Sequence, residues 1–159
     1  MKKYEFTGET KEIKLLFRTA VLHRIRATVS FGFVKIGDLG GWIEKEENLS
    51  HEGKAWVWGN AKVWGNAEVC GDAKVFSASH VLVIGAIGSR NDFTTFYRDK
   101  DNEITVKCGC FLGKIDRFLE KVTQTHGDSK YALVYRAAVE VAKLQIDLSG
   151  EAPKDADEE

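Results

Sequence analysis

The chain is poor in the features that mark secreted, membrane-spanning or nucleic-acid-binding proteins. Its three cysteines, an odd number, make no disulfide framework, and a reducing compartment is the simpler reading. No apolar run approaches the ~18 residues of a membrane helix. The start, Met1-Lys2-Lys3-Tyr4-Glu5-Phe6, has two lysines with no apolar stretch after them, which argues against a secretory signal and for a cytoplasmic location. Neither sign of charge prevails: 23 Lys and Arg against 24 Asp and Glu leave a net charge of -1, and no basic stripe runs through the sequence. Polymeric nucleic acid and anionic membrane are therefore disfavoured as partners. The only proline, Pro153, lies in an acidic tail over 149–159 that has no aliphatic periodicity and is expected to be disordered.

What the chain does have is glycine at a regular interval. From Gly53 to Gly88 it reads in sixes, with Val57, Val63, Val69, Val75, Val81 and Ile87 in one phase and Ala55, Ala61, Ala67 and Ala73 two places earlier. One small and one β-branched residue on the same face of each short strand predict a hexapeptide β-helix of the left-handed type. With three hexads to a coil, residues eighteen apart stack at the ~4.8 Å strand spacing. Trp56 then stands above Lys74, Trp58 above Phe76, Trp64 above Leu82 and Lys62 above His80. Residues 41–52 extend the phase in degenerate form, as a coil that caps the column. The outward-facing aromatic residues Trp56, Trp58, Trp64 and Phe76 form an apolar surface that is covered either by the chain's own flanking segments or by another subunit, and they are interface candidates for a homo-oligomer.

The flanks read differently. Over 1–40, alternation at Ile13, Leu15 and Phe17 predicts short strands, and Gly37-Asp-Leu-Gly-Gly-Trp42 predicts a tight turn built on positive φ. After Gly88, Asn91–Arg98 and Glu103–Cys108 flank the turn 99–102 as a hairpin. Ile115, Phe118, Leu119 and Val122 follow helical spacing to a C-cap at Gly127. Asp128 or Ser129 then caps a second helix whose expected buried stripe is Leu133, Val134, Ala137, Ala138, Val141 and Leu144. The expected fold class is mainly β with an α/β C-terminal unit. N-terminal strands occupy 1–40, a short left-handed-type hexapeptide β-helix 41–88, and a ββαα unit 89–148, followed by the tail.

Hexapeptide β-helices resemble a class of acyltransferases that use coenzyme A or another acyl carrier. The resemblance covers Gly53 to Gly88 and implies a histidine base, for which His51 and His80 are the candidates, although the coils lack the protruding loop many of those enzymes insert. A wider resemblance, from Gly37 to Ile146, rests on Gly37-Asp-Leu-Gly-Gly-Trp-Ile-Glu, Asn48-Leu-Ser-His-Glu-Gly, the Gly-Asn-Ala repeats and Cys108-Gly-Cys-Phe. In these strings the chain looks like a group of phage and prophage proteins with no established activity, and the likeness implies binding to a component of a bacterial host, bacterial immunity included.

The polar run Gly88, Ser89, Arg90, Asn91, Asp92, Thr94 and Thr95 places hydroxyls and a guanidinium just past the last repeat, where they are ligand-binding candidates for a phosphate or carboxylate. The alternative is a turn-rich connector whose hydroxyls cap loose backbone groups. Arg136, with Tyr131 and Tyr135 on the second helix, adds a cation beside aromatic rings suited to a nucleobase. Cys108-Gly-Cys110 with His126 falls one ligand short of a structural zinc site and is spaced too tightly for it. No metal, cofactor or catalytic residue is therefore assigned. The leading expectation is a non-enzymatic, homo-oligomeric binding protein of phage type in the bacterial cytoplasm. Its ligand is a host protein or a small, anionic, nucleotide-like signalling molecule, as in anti-defence. An acyl-carrier-dependent transferase and a purely structural assembly protein are the alternatives.

Overall fold

The computed structural model describes residues 2–149, so all of the expected tail except Ser149 lies outside the described residues. The chain is mainly β, arranged in three sheets with two helices at the C-terminal end. β1 (Tyr4–Lys14) and β2 (Thr19–Ala27) form a long antiparallel hairpin; β3 (Leu39–Ile43) pairs antiparallel with β2 and parallel with β5 (Lys62–Val63). β4 (Trp56–Val57) and β6 (Lys74–Val75) make a separate two-stranded parallel sheet. β7 (Val81–Ile87), β8 (Asp92–Arg98), β9 (Ile104–Cys108) and β10 (Phe111–Lys114) form an antiparallel sheet in the order β10-β9-β8-β7, followed by α1 (Ile115–His126) and α2 (Lys130–Gln145).

The expected hexapeptide β-helix is corrected by this arrangement, because the repeats do not close into a column. They supply two-residue strands to two different sheets, where Trp56 pairs with Lys74 and Val57 with Val75, while Leu49 bridges Val69. Their corners are glycines in the left-handed region: Gly53, Gly59, Gly65 and Gly71 have φ of 70°, 56°, 67° and 62°. An L-residue enters that region at a cost, so each turn depends on glycine. The next two corner positions are Ser77 and Val83. Ser77 is extended, and a 3₁₀ turn at Ala78–His80 leads into β7. With no glycine to turn it, the run Val81-Leu82-Val83-Ile84 continues straight and pairs antiparallel with β8. From Val81 onward the last two hexads thus run as β7 in the C-terminal sheet.

The main core gathers Ile25, Ile43, Leu49, the repeat alanines and valines, and Trp56. Gly40 and Gly41 serve close approach here rather than a turn. A Cβ on Gly40 would lie 2.7 Å from the Trp56 ring, and one on Gly41 2.6 Å from the Ala61 carbonyl oxygen. Asn48, fully buried, holds the third repeat: its side-chain amide donates to the carbonyls of Gly65 and Ala67 (both 3.0 Å), and its oxygen accepts from Lys45 N–H. Lys3 closes the N-terminal end, donating to the Ala55 carbonyl at 2.7 Å, and burial lowers its pKa to about 8. At the opposite edge, Arg18 clasps Glu44 through two hydrogen bonds of 2.6 and 3.0 Å, which hold the Glu44 carboxyl down to about 2.

A second core lies between the C-terminal sheet and the helices. The buried side of α2 is Ala132, Tyr135, Ala138, Val139 and Ala142. Of the expected stripe Ala138 is buried, and the rest is corrected: Leu133, Val141 and Leu144 are 60%, 47% and 89% exposed, and Ala137 is exposed too. Alanine permits the helix to approach its neighbours closely, and three alanines on one side outweigh the greater apolar area of the leucines. Among the described residues no helix is long and apolar enough to cross a membrane.

Candidate functional site

Two turns at the same end of the C-terminal sheet, together with α1 and α2, enclose a cleft of about 210 Å³. The β7–β8 turn closes through Asn91 N–H donating to the Gly88 carbonyl at 3.2 Å, with Gly88 and Asn91 at φ 79° and 48°. The β9–β10 turn contains Gly109 at φ 57° and brings Phe111 opposite Cys108. From α1, Phe118, Lys121, Val122 and Thr125 face the cleft at helical spacing, with His126 at the helix end; from α2, Tyr135 reaches in.

The floor is aromatic. The rings of Phe111 and Phe118 are 5.5 Å apart, Phe118 and Tyr135 meet at 90° and 5.7 Å, and His126 lies over Tyr135 at 5.7 Å. The Tyr135 hydroxyl abuts Gly88, where a Cβ would come within 1.9 Å of it. Burial, then the adjoining Cys108 thiol, pushes the Tyr135 pKa up to about 12, so the phenol stays neutral. Thr94 donates its hydroxyl to Cys108 Sγ at 3.4 Å. The rim is cationic on two sides: Arg90 and Lys121 line the cleft, and neither makes a hydrogen bond or ion pair among the described residues. Asp92 is the one carboxylate on the lining.

The candidates named from the sequence divide. Ser89 and Arg90 line the cleft, and Asn91 shapes its turn. Thr94 and Thr95 are each 1% exposed, Thr94 on Cys108 and Thr95 accepting from Glu68 N–H at 3.0 Å, so both hydroxyls are spent on the fold. Arg136 stands apart, donating to Thr123 Oγ1 and the Gly127 carbonyl to fasten the end of α1. Phe111, Phe118 and Lys121 also line the cleft and were not among the sequence candidates. The i, i+3, i+4, i+7 spacing of Phe118, Lys121, Val122 and Thr125 carries the signal that would have found the α1 side. Cys108, Cys110 and His126 meet on this lining, although no group of three or more His, Cys, Asp or Glu among the described residues is placed to hold a metal ion.

The interface candidates are engaged within the chain. Trp56 is 1% exposed beneath Tyr4 and Phe31, Trp58 stacks on Phe76 at 4.6 Å, and Trp64 packs beside Trp42 and Leu22. Covering by the chain's own strands, one of the two expected alternatives, accounts for Trp56 in full.

Both histidines considered as bases work in the scaffold. His51 accepts the Lys3 N–H through Nδ1 at 3.0 Å and stacks on Tyr4 at 4.0 Å; His80 accepts the Phe76 N–H through Nδ1 at 3.0 Å, with Arg98 3.2 Å from Nε2. Burial holds both below the ordinary 6.5, with Arg98 adding to the effect at His80. The unfolded chain therefore takes up protons near pH 6.5 that the folded chain refuses until lower pH. Stability contributed by these two sites is complete above that value and is lost as pH falls through the folded-state values. The urea midpoint is expected to drop between pH 7 and pH 5, before most carboxylates titrate, whereas a flat midpoint across that interval contradicts the assignment.

No protein-family model matches the chain, and no curated protein matches it either. The functional reading accordingly rests on the cleft.

Proposed function

We propose that the protein binds a small aromatic anion, with the chemistry of a nucleotide fragment, in the cleft between the ends of β8 and β9 and the two helices. The observation that carries this reading is the pairing of two cations that make no hydrogen bond or ion pair among the described residues, Arg90 and Lys121, with the aromatic floor of Phe111, Phe118 and Tyr135. Cations on the rim suit a phosphate or carboxylate, and the flat rings suit a base. At about 210 Å³ the cleft is smaller than the ~300 Å³ at which drug-sized pockets begin, so it suits a single nucleoside monophosphate or a smaller fragment better than a dinucleotide. In the phage setting implied by the sequence resemblance, such binding amounts to sequestering a host signalling molecule without turning it over.

Thermal shift against nucleoside monophosphates, cyclic mono- and dinucleotides and ADP-ribose tests this. At about a hundred times Kd, binding adds ~2.7 kcal/mol, or roughly 5–11 °C for a chain of this size. Arg90→Ala combined with Lys121→Ala is expected to abolish the shift while leaving the ligand-free melting temperature within a degree or two, because both side chains are exposed. No shift with any member of the panel, or a shift the double variant retains, contradicts the proposal.

A further inference from the structure

α2 carries two apolar faces, and among the described residues only one is buried. The second runs along the solvent side as Leu133, Ala137, Val141 and Leu144, spaced by four, four and three residues, which is one stripe on a helix. Of the other strongly exposed apolar side chains, Leu16 and Phe17 sit at the turn between β1 and β2, Ile36 and Leu39 lie at the entry to β3, and Leu112 is on β10, and none of these belongs to a helix.

We infer that this stripe is the contact surface of a homodimer in which α2 packs antiparallel on α2 of a second copy, with the two-fold axis at Ala137. This does not depend on the ligand proposal. The pattern is close to palindromic about Ala137: Leu133 and Val141 lie four residues to either side, so a two-fold sets the Leu133 of each copy against the Val141 of the other. A two-fold interface requires such self-complementarity. Alanine at the centre admits close approach of the helix axes.

Charge selects the direction. The charged residues on the same arc are Lys130 and Glu140, and the Glu140 carboxylate also stands 3.5 Å from the Lys143 ammonium of its own helix, at the exposed edge of the arc. Parallel packing sets each beside its own kind. Antiparallel packing brings the Lys130 of one copy to about four residues, ~6 Å along the axis, from the Glu140 of the other. With a net charge of -1, two copies have little long-range repulsion to overcome. A single pair of 16-residue helices is ~24 Å long and lies at the small end of specific interfaces, so the dimer is expected to have micromolar affinity.

Sedimentation of the full chain from about 10 to 500 µM should show the mass rising from 17.8 kDa towards twice that value. Leu133→Lys with Leu144→Lys should hold it at one chain while leaving the melting temperature unchanged, since both side chains are exposed. In a Cys110→Ser background, which removes the exposed native thiol, copper-catalysed air oxidation should cross-link Ala137→Cys to itself and leave Leu133→Cys uncoupled. A monomer at every concentration overturns the inference and leaves the stripe to a different protein. A dimer indifferent to the two lysines, or one cross-linked through Leu133→Cys but not Ala137→Cys, overturns the surface or its geometry.

Discussion

Replacing Trp56 by alanine is expected to destabilise the protein by about 3–5 kcal/mol, the range for removing a large buried aromatic side chain. Trp56 is the largest fully buried side chain, and three parts of the chain meet on it. Phe31 and Tyr4 approach edge-on at 5.4 and 6.3 Å, Gly40 presents bare backbone to the indole, and Val57 carries the strand into the repeat core. The cavity left behind is walled by backbone and by rings held from other directions. Tyr4 donates its hydroxyl to the Leu49 carbonyl at 2.6 Å and stacks on His51, so it cannot swing in to fill the space. The melting temperature should fall by roughly 6–20 °C. Trp58→Ala, at a half-buried position stacked on Phe76 alone, should cost less than half as much. Urea unfolding of both variants checks this, and a Trp56→Ala loss below about 1 kcal/mol contradicts the packing described.

Gly88→Ala is the second large effect, and it acts on the cleft. The left-handed φ of Gly88 costs an alanine about 1–2 kcal/mol, and its Cβ would stand 1.9 Å from the Tyr135 hydroxyl and 2.5 Å from the ring carbon that bears it. Tyr135 cannot withdraw, because Phe118 and His126 flank its ring and α2 is packed behind it. Overpacking of this kind adds about 1–3 kcal/mol, for a total near 2–5. A double-mutant cycle separates the two contributions. Tyr135→Phe removes the nearest atom but not the ring, so it should recover only part of the overpacking; Tyr135→Ala should recover most of it, leaving the backbone strain. If the costs of Gly88→Ala and Tyr135→Ala simply add, the contact is absent.

Much of the C-terminal half was legible in the residues, and the reason is local chemistry. The hairpin over 92–108 follows from β-forming runs around the turn 99–102, and α1 ends where Gly127 supplies a positive φ of 57°. The face of α2 was not legible. Hydrophobicity alone favours Leu133 and Leu144 for the core, yet the side that fits against the sheet and α1 is the one rich in alanine, and the fit depends on partners that sequence periodicity does not describe. The repeats misled in another way. Valine at intervals of six persists to Val81, but the corner glycine stops at Gly71 and the alanine at Ala73, and without the glycine turn the chain runs on into an antiparallel sheet. Two of the residues singled out in the sequence, Ser89 and Arg90, line the cleft, while its other walls come from Phe111, Phe118 and Lys121, which sequence distance conceals.

The most direct test of the cleft is an amide NMR titration of the uniformly ¹⁵N-labelled chain with the four nucleoside monophosphates. The account predicts saturable shifts concentrated at Arg90, Gly109, Cys110, Phe111, Lys121 and His126 for at least one of them, and their disappearance in the Arg90→Ala, Lys121→Ala variant. An absence of shifts at millimolar ligand, or shifts centred on the separate groove beside Trp64 and Val83, would contradict it.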